Sequence, residues 1–371
     1  MAQQSSERPL RVHRSSTGEV ERAAAADVRS RLAGADPGNL DAILPLMRCP
    51  IDGEALVWDR AASELRDAND VYPIEDGILL LLAPRVAPGA PRNDVTGVVK
   101  DFHEASPFPR YDGIDTRESL RQKVRASVTA RLLDDQISKS ASVLDVGCGT
   151  GQLTNVLAMA WGRTVVGCDI CRNSLELAVG FRDRFAVDNA HFVQMNLFDP
   201  FFRKASFDVV IADGVLHHTG DAAAAFRSIQ DLVKPGGHAV IGLYNRLGRL
   251  PMLWLRSLVH RFGDFAALLD GRMRRERDGG RRQAWLIEQY RNPHETRHSI
   301  DEVMDWFERS GFDFVSCIPP IGDRELTDDA MLFEPQPKGS YLDRLSTELE
   351  MLLSGGAEGG GSYIMIGRRR G

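Results

Sequence analysis

From Ser142 onward, short apolar runs alternate with stretches of helical period. Ser142–Val146, Thr164–Asp169, His191–Met195, Phe207–Ala212 and His238–Tyr244 read as strands. After the first strand a helix is expected through Trp161. A second helix places Leu175, Ala178, Phe181 and Phe185 on one face. A third carries Phe226, Ile229 and Val233 inward and stops at Lys234-Pro235-Gly236-Gly237. Ser299 with Glu302 three residues on forms a capping box, opening a helix with the stripe Val303, Trp306 and Phe307 that Gly311 ends. Phe312–Ile318 and Ser362–Gly367 read as the last strands. Alternation of this kind predicts an α/β fold, a parallel sheet with helices on both faces.

Outside that rhythm the chain divides by composition. Residues 1–40 are polar, rich in Arg and Ala, and end in Gly34-Ala35-Asp36-Pro37-Gly38, so they read as a disordered leader. Residues 41–85 read as a small β-rich module, with Asp76-Gly77 as a hairpin turn between apolar runs. Residues 86–140 are a linker, marked by Pro84 just ahead of it and by Pro88, Gly89 and Pro91, and a helical lead-in over 114–139. The main domain, 141–371, carries an Arg-rich helical insertion at about 246–298 and a polar one at about 323–360.

With 371 residues, 43% hydrophobic and 26% charged, the chain has a globular balance, which excludes a disordered or fibrous protein. Its formal net charge of −6 argues against a coat for nucleic acid. Five cysteines are too few for a disulfide framework at this size. The start has no apolar core of a secretory signal, and the longest apolar run, Ile78 to Ala83, is far short of the ~20 residues of a membrane span. The expectation is a cytoplasmic protein with reduced thiols and no stable membrane insertion.

The strongest chemical signal is Leu144-Asp145-Val146-Gly147-Cys148-Gly149-Thr150-Gly151. A strand running into glycines and then a helix brings bare backbone close to a ligand beside a helix N-terminus. The dinucleotide spacing is G-x-G-x-x-G, whereas here it is G-x-G-x-G with Gln152 following. Asp145, two residues before the first glycine, would repel a pyrophosphate and suits a ligand that brings a cation. Asp169, at the end of the second strand, is placed to accept from ribose hydroxyls. Together they describe a nucleoside joined to a cationic amino acid, namely S-adenosylmethionine.

On these residues the stretch 142–244 resembles a class I S-adenosylmethionine-dependent methyltransferase, close to the ubiquinone and menaquinone type. Val143–Gly151 matches the family's glycine-rich motif, and Gly167-Cys168-Asp169 its ribose-binding acidic position. Met195-Asn196-Leu197 falls where the family usually has an Asp facing the adenine amino group; Asn196 departs from it while keeping an acceptor oxygen. Phe207–Ile211, Val215-Leu216-His217-His218 and Leu232–Gly237 match the fourth strand, its loop and the turn before the fifth strand. The resemblance implies a Rossmann-like seven-stranded sheet in the order 3-2-1-4-5-7-6, the seventh strand antiparallel. It also implies a cofactor site of Asp145, Gly147, Cys148, Gly149, Gly151, Asp169, Ile170, Asn196, Leu197 and Asp213.

Arg48-Cys49-Pro50-Ile51-Asp52-Gly53 followed by Tyr72–Leu80 resembles the zinc-ribbon-like activator subunit of tRNA, rRNA and protein methyltransferases. Asp52 stands where the ribbon has its second Cys, and no second cysteine pair follows. Structural zinc takes about four N or S ligands, so a metal-free module is expected.

The methyl acceptor in this fold sits beyond the carboxyl ends of strands four and five. His217 and His218 are the nearest groups of suitable pKa for a base, and Tyr244-Asn245 ends strand five. Tyr290, His294, Glu295 and His298 concentrate polar side chains before the capped helix, and Tyr111 belongs to a proline-rich segment, with Phe102-His103 ahead of it, that resembles the family's cofactor cover. Cys168-Asp169-Ile170-Cys171 is formally C-x-x-C, but its Asp has a ribose to bind, which argues against a redox motif. The leading reading is methyl transfer to a small organic acceptor. A second is an RNA or protein methyltransferase with a fused activator-like module, docking through Arg274, Arg275, Arg281 and Arg282. A third is an adapter that binds the cofactor and methylates nothing.

Overall fold

The computed structural model describes residues 39–82, 94–105, 107–109, 111, 114, 116–277, 279–322, 326–354 and 360–371. The leader expected up to residue 40 lies almost wholly outside these residues, as do the linker prolines, Arg110 and the side chain of Arg281.

Eleven strands form one sheet. In chain order they are β1 (Val57–Asp59), β2 (Glu64–Arg66), β3 (Val71–Glu75), β4 (Ile78–Leu81), β5 (Ser142–Val146) and β6 (Thr164–Asp169). They continue as β7 (Ala190–Met195), β8 (Phe207–Asp213), β9 (Val233–Tyr244), β10 (Phe312–Ile318) and β11 (Ser362–Arg369). The spatial order is β1-β2-β3-β4-β7-β6-β5-β8-β9-β11-β10. Strands β5 to β9 are mutually parallel, and β11 runs antiparallel to both neighbours.

The expected seven-stranded sheet is therefore corrected to eleven. The cause is β4, whose four residues are all apolar and need cover on both faces. Asp76 and Gly77, with φ of +52° and +73°, make the tight turn that returns the chain from β3 to β4. Strand β4 then pairs in parallel with β7, from Ile78 opposite Phe192 to Leu81 opposite Met195. The N-terminal module thus continues the main sheet. Its turn at Cys49 and the loop at Asp67 meet: ligand atoms of Cys49, Asp52 and Asp67 lie within 4.8 Å of one another. Each already has a hydrogen-bond role. Asp67 accepts the amides of Asn69 and Asp70 and the Tyr72 hydroxyl, Asp52 accepts the Glu54 amide, and Cys49 contacts the Tyr72 hydroxyl.

The helices are α1 (Asp94–Ala105), α2 (Arg117–Arg125), α3 (Val128–Gln136), α4 (Gln152–Ala158), α5 (Arg172–Arg184) and α6 (Ala222–Ile229). Then come α7 (Leu250–Phe262), α8 (Gly271–Arg275), α9 (Gly279–Leu286), α10 (Ile300–Arg309) and α11 (Tyr341–Leu353). Buried side chains of α2 to α5 (Leu120, Leu132, Val156, Leu175) fill one face of the sheet. Those of α6 and α10 (Phe226, Val303, Phe307) fill the other, continuous with the module's Leu65 and Tyr72. No helix among the described residues is long and apolar enough to cross a membrane.

Three local expectations change. Val233 is not part of a helical stripe: it opens β9 opposite Phe207, and the chain bulges over Lys234–Gly237 before His238 resumes pairing opposite Val209. The first helix of the main domain stops at Ala158, three residues before the exposed Trp161. Ser299 caps α10 by accepting the Glu302 amide, but the Glu302 carboxylate completes no box; it turns instead to His298 Nδ1 at 2.7 Å.

The insertion after β9 folds as α7, a 3₁₀ stretch Asp264–Leu269, α8, α9 and a π-helical turn Ile287–Arg291. It has its own small core around Met252, Val259, Met273, Leu286 and Tyr290.

Candidate active site

Between β5 and α4 the chain makes a turn in which Gly147, Gly149 and Gly151 all have positive φ, +68°, +53° and +70°. Space demands glycine as much as backbone does. A Cβ on Gly149 would sit 2.6 Å from the Phe108 carbonyl oxygen, and one on Gly147 would sit 2.5 Å from Val215. The turn is clamped to the next strand end. The Gly149 amide donates to Asp169 Oδ2 at 2.9 Å, and the Cys171 amide donates to Oδ1 at 2.8 Å. Each oxygen keeps a lone pair for a ligand hydroxyl. Thr154 donates to Asp145 Oδ2 at 2.6 Å.

These groups open onto a cavity of about 420 Å³ at the carboxyl ends of β5, β6, β8 and β9. Of the cofactor set expected from the sequence, Asp145, Gly147, Cys148, Gly149 and Asp169 line it. So do Ile170, Asn196, Leu197 and Asp213. Gly151 stands behind the wall as the N-cap of α4, packed against Ala178 and Phe192. Asn196 uses its side-chain oxygen to accept the Phe198 amide. Phe108 and Pro109 form the cover over the glycine turn, where the Pro109 carbonyl accepts from Thr150 and Gln152.

The charge pattern is one-sided. Asp145, Asp169, Asp213 and Glu288 line the cavity, and no lysine or arginine does among the described residues. Burial pushes Asp145 up to about 7, with Asp213 and Asp169 adding repulsion while the Thr154 hydroxyl opposes it. Burial also raises Asp169 and Asp213; the backbone amides of Cys171, Gly149 and Ile170 and the neighbouring His103 work against it at Asp169. Four carboxylates in one pocket, with no lysine or arginine beside them among the described wall residues, are an unbalanced arrangement that a positively charged, hydroxyl-bearing ligand would balance. The glycine cradle and the Asp169 lone pairs fit S-adenosylmethionine in the same way.

The far end of the cavity is built by the loop after β8, the end of β9 and the insertion. His217 and His218 are both buried there. The His217 ring lies 4.0 Å from that of Tyr244 and 4.2 Å from that of His218, and neither of its ring nitrogens finds a hydrogen-bond partner among the described residues. Burial, then the neighbouring His218 and Arg249, hold its pKa well below the usual imidazole range. Burial pushes the Tyr244 hydroxyl up to about 12, with Arg249 opposing.

The remaining predicted residues do not line the cavity. The Asn245 carboxamide oxygen accepts the amides of Leu247 and Gly248 and so fixes the turn leaving β9. Tyr290 donates to Asp270 inside the insertion core, and Glu295 forms a paired bridge to Arg249. His294 Nε2 contacts the Thr219 carbonyl, and His298 lies between Glu302 and Thr296. Tyr111 donates to the Thr150 carbonyl and stacks on Phe181.

Glu288 on the wall escaped the sequence reading, whereas its neighbour Gln289, also on the wall, opens the polar stretch that runs to His298 before the capped helix. They sit on the π-helical turn Ile287–Arg291, a rare geometry that tends to occur at functional sites. Gln289 donates to the Tyr244 hydroxyl at 3.3 Å and accepts from Arg249 at 2.6 Å. Only its place directly before that stretch hinted at Glu288, because no periodicity marks a π turn.

A family model described as a methyltransferase domain matches residues 137–290. An uncharacterized Synechococcus protein is 27% identical over 253 residues, 60% of each chain. A ubiquinone biosynthesis O-methyltransferase of Ralstonia nicotianae is 35% identical over 162 residues, covering 43% of this chain and 59% of its own. A solved chain from the complex of the Haloferax volcanii Trm112 methyltransferase activator with a methyltransferase aligns with 76% of this chain and 100% of its own. Its identity is 14% and its TM-score 0.43. The chain spans no more than 60% of the length of these two curated relatives.

Proposed function

We propose that the protein is an S-adenosylmethionine-dependent methyltransferase that acts on a small organic acceptor. The observation that carries this reading is the glycine turn clamped to Asp169 at the mouth of a cavity whose charged wall is wholly acidic among the described residues. The name of the Ralstonia relative supports a small acceptor, and so does the helical insertion, which contributes to the far wall of the cavity.

In this reading Asp169 holds the ribose hydroxyls, and Asp145 faces the cationic amino-acid part across the turn. Asn196 and Leu197 flank the base, and Asp213 closes the wall toward β9. The bound cofactor supplies a methyl group on a positively charged sulfur, an already activated carbon. The protein's part is then to align the acceptor in line with that carbon and to exclude water, which supplies most of the rate. Tyr244, Gln289 and the His217–His218 pair form the surface against which the acceptor lies. A cytoplasmic location belongs to the same proposal.

Calorimetry of cofactor binding tests the assignment. Asp169→Ala removes charge-assisted hydrogen bonds of about 1.5–3 kcal/mol each, so affinity falls at least tenfold. Unaltered affinity would sink the ribose assignment.

An RNA or protein acceptor is the second reading, favoured by the exposed Arg274 and Arg275 on α8. Labelled methyl from S-adenosylmethionine, offered to a lysate, would then enter RNA or protein rather than the small-molecule fraction.

A further inference from the structure

At the acceptor end, His218 Nδ1 lies 2.8 Å from the His294 carbonyl oxygen. A carbonyl oxygen only accepts, so the ring proton sits on Nδ1 and Nε2 carries the lone pair. Nε2 faces Glu288 Oε1 at 3.6 Å, beyond hydrogen-bond length. Two acceptors thus confront each other across a gap on the cavity wall. Such a pair is satisfied when a proton arrives, carried by a ligand hydroxyl or left on the imidazole.

We propose that His218, with Glu288 beside it, takes the proton of a neutral hydroxyl acceptor as that hydroxyl is methylated. The inference rests on the methyl-transfer reading above. The acceptor O–H bond breaks and its proton passes to His218 Nε2. The oxygen's electron pair forms the new O–CH₃ bond, while the pair of the S–CH₃ bond leaves with sulfur as a neutral thioether. Positive charge therefore moves from sulfur to the imidazole, where the Glu288 carboxylate stands ready to offset it.

The surroundings select the acceptor class. An acceptor carrying carboxylate or phosphate would meet four carboxylates and no lysine or arginine among the described wall residues. A neutral amine attacks without a base, leaving the pair without a task. The groups facing His218 are Glu288 from the π turn, His294 and Glu295 from the segment after it, His103 from α1, and His217 and Tyr244 from the strand ends. Burial lowers the His218 pKa, while Glu288, the His294 carbonyl and Glu295 oppose the drop and His103 adds to it. The ring is thus neutral and able to accept a proton near pH 7.

The test compares wild type, Glu288→Gln and His218→Gln. Each is given labelled S-adenosylmethionine and a deproteinised small-molecule cell extract from pH 5 to 9. The labelled product is treated with hydriodic acid, which releases O-methyl groups as methyl iodide. Affinity for S-adenosylhomocysteine is measured by calorimetry on all three proteins. The expected result is label released as methyl iodide and S-adenosylhomocysteine affinity within about twofold throughout. The His218→Gln rate falls at least a hundredfold, within the ~10²–10⁴ that base catalysis contributes. Glu288→Gln lowers the plateau rate at least tenfold and moves the acidic limb to lower pH, because the carboxylate that raised the imidazole pKa is gone. Nitrogen-15 spectra of histidine-labelled wild type with S-adenosylhomocysteine should show His218 protonated on Nδ1. A Glu288→Gln enzyme with the wild-type rate and pH profile overturns the proposal. A product that resists hydriodic acid, an Nε2–H tautomer, or tight S-adenosylhomocysteine binding without any label in small molecules does so as well. Failure of the wild type to bind S-adenosylhomocysteine would instead bring down the methyl-transfer reading itself.

Discussion

Arg249 lies flat over the ring of Tyr244, its guanidinium carbon 3.7 Å from the ring centroid, and so joins the first residues of the insertion to the last residue of β9. The side chain is wholly buried. It also bridges both oxygens of Glu295 and donates to Gln289 and to the Gly360 carbonyl. A guanidinium suits this place because its planar fork serves a carboxylate and an aromatic face together.

Arg249→Ala should be strongly destabilising. It leaves Glu295 buried beside only the more distant Arg256, at 3.6 Å. Breaking a buried pair costs about 3–5 kcal/mol, which urea unfolding would read. The double change Arg249→Met with Glu295→Gln should recover a good part of the loss. Equal stability of the single and double variants would show that the Tyr244 stack, not the ion pair, carries the energy.

Asp145 makes stability depend on pH in a defined direction. Its pKa rises on folding from the ordinary carboxylate range to about 7, so between about pH 4 and 7 the folded state binds more protons than the unfolded one. Stability contributed by this group therefore falls as pH climbs through that window. Asp145→Asn should flatten this slope and raise stability at pH 8 by roughly 2 kcal/mol. Cofactor binding should restore the ionised form and release a proton near pH 6.5. Calorimetry in buffers of different ionisation enthalpy would detect that release; no buffer dependence would argue against a cation beside Asp145.

Gly149→Ala should fail at the cofactor rather than at the fold. The new Cβ meets the Phe108 carbonyl at 2.6 Å, and the backbone sits at φ +53°. Left-handed backbone costs a non-glycine residue about 1–2 kcal/mol, and the turn must move away from its cover. Cofactor affinity should drop more than tenfold with the melting temperature reduced only modestly. Wild-type affinity would mean that the turn is not a contact surface.

Leu79→Asp should separate the N-terminal module from the sheet. Leu79 is wholly buried and stands opposite Val193. An unpaired carboxylate there costs several kcal/mol and bares the ladder edge of β7. Sedimentation should then show self-association, the usual fate of an uncovered apolar edge. A monomeric variant of normal stability would show that β4 contributes little.

The glycine turn and both aspartates were legible because their chemistry is local: φ > 0, strand–turn–helix context and an acidic strand end all fall within a few dozen residues. Strands β5 to β8 could be placed to within a residue by their mainly apolar runs. What escaped depends on contacts distant in sequence. Nothing local to Ile78–Leu81 says that these residues pair with β7 rather than closing a small sheet of their own. Glu302 fits a capping box by spacing, yet His298 lies nearer to its carboxylate. Glu288 reaches the cavity only because the chain winds a π turn, and Tyr290 and Glu295 turn inward because Asp270 and Arg249 await them there.

The parallel pairing of β4 with β7 also bears on how the chain is made. The hairpin β3–β4 leaves the ribosome before β5 to β11 and can form its tight turn at once. Its apolar strand must then wait through the synthesis of α1 to α5 before its parallel partner exists. Throughout that interval a nascent chain displays Ile78–Leu81 uncovered, a stretch suited to capture by a holding chaperone. Assembly of the sheet thus ends the exposure of its earliest hydrophobic strand only when β7 has been delivered.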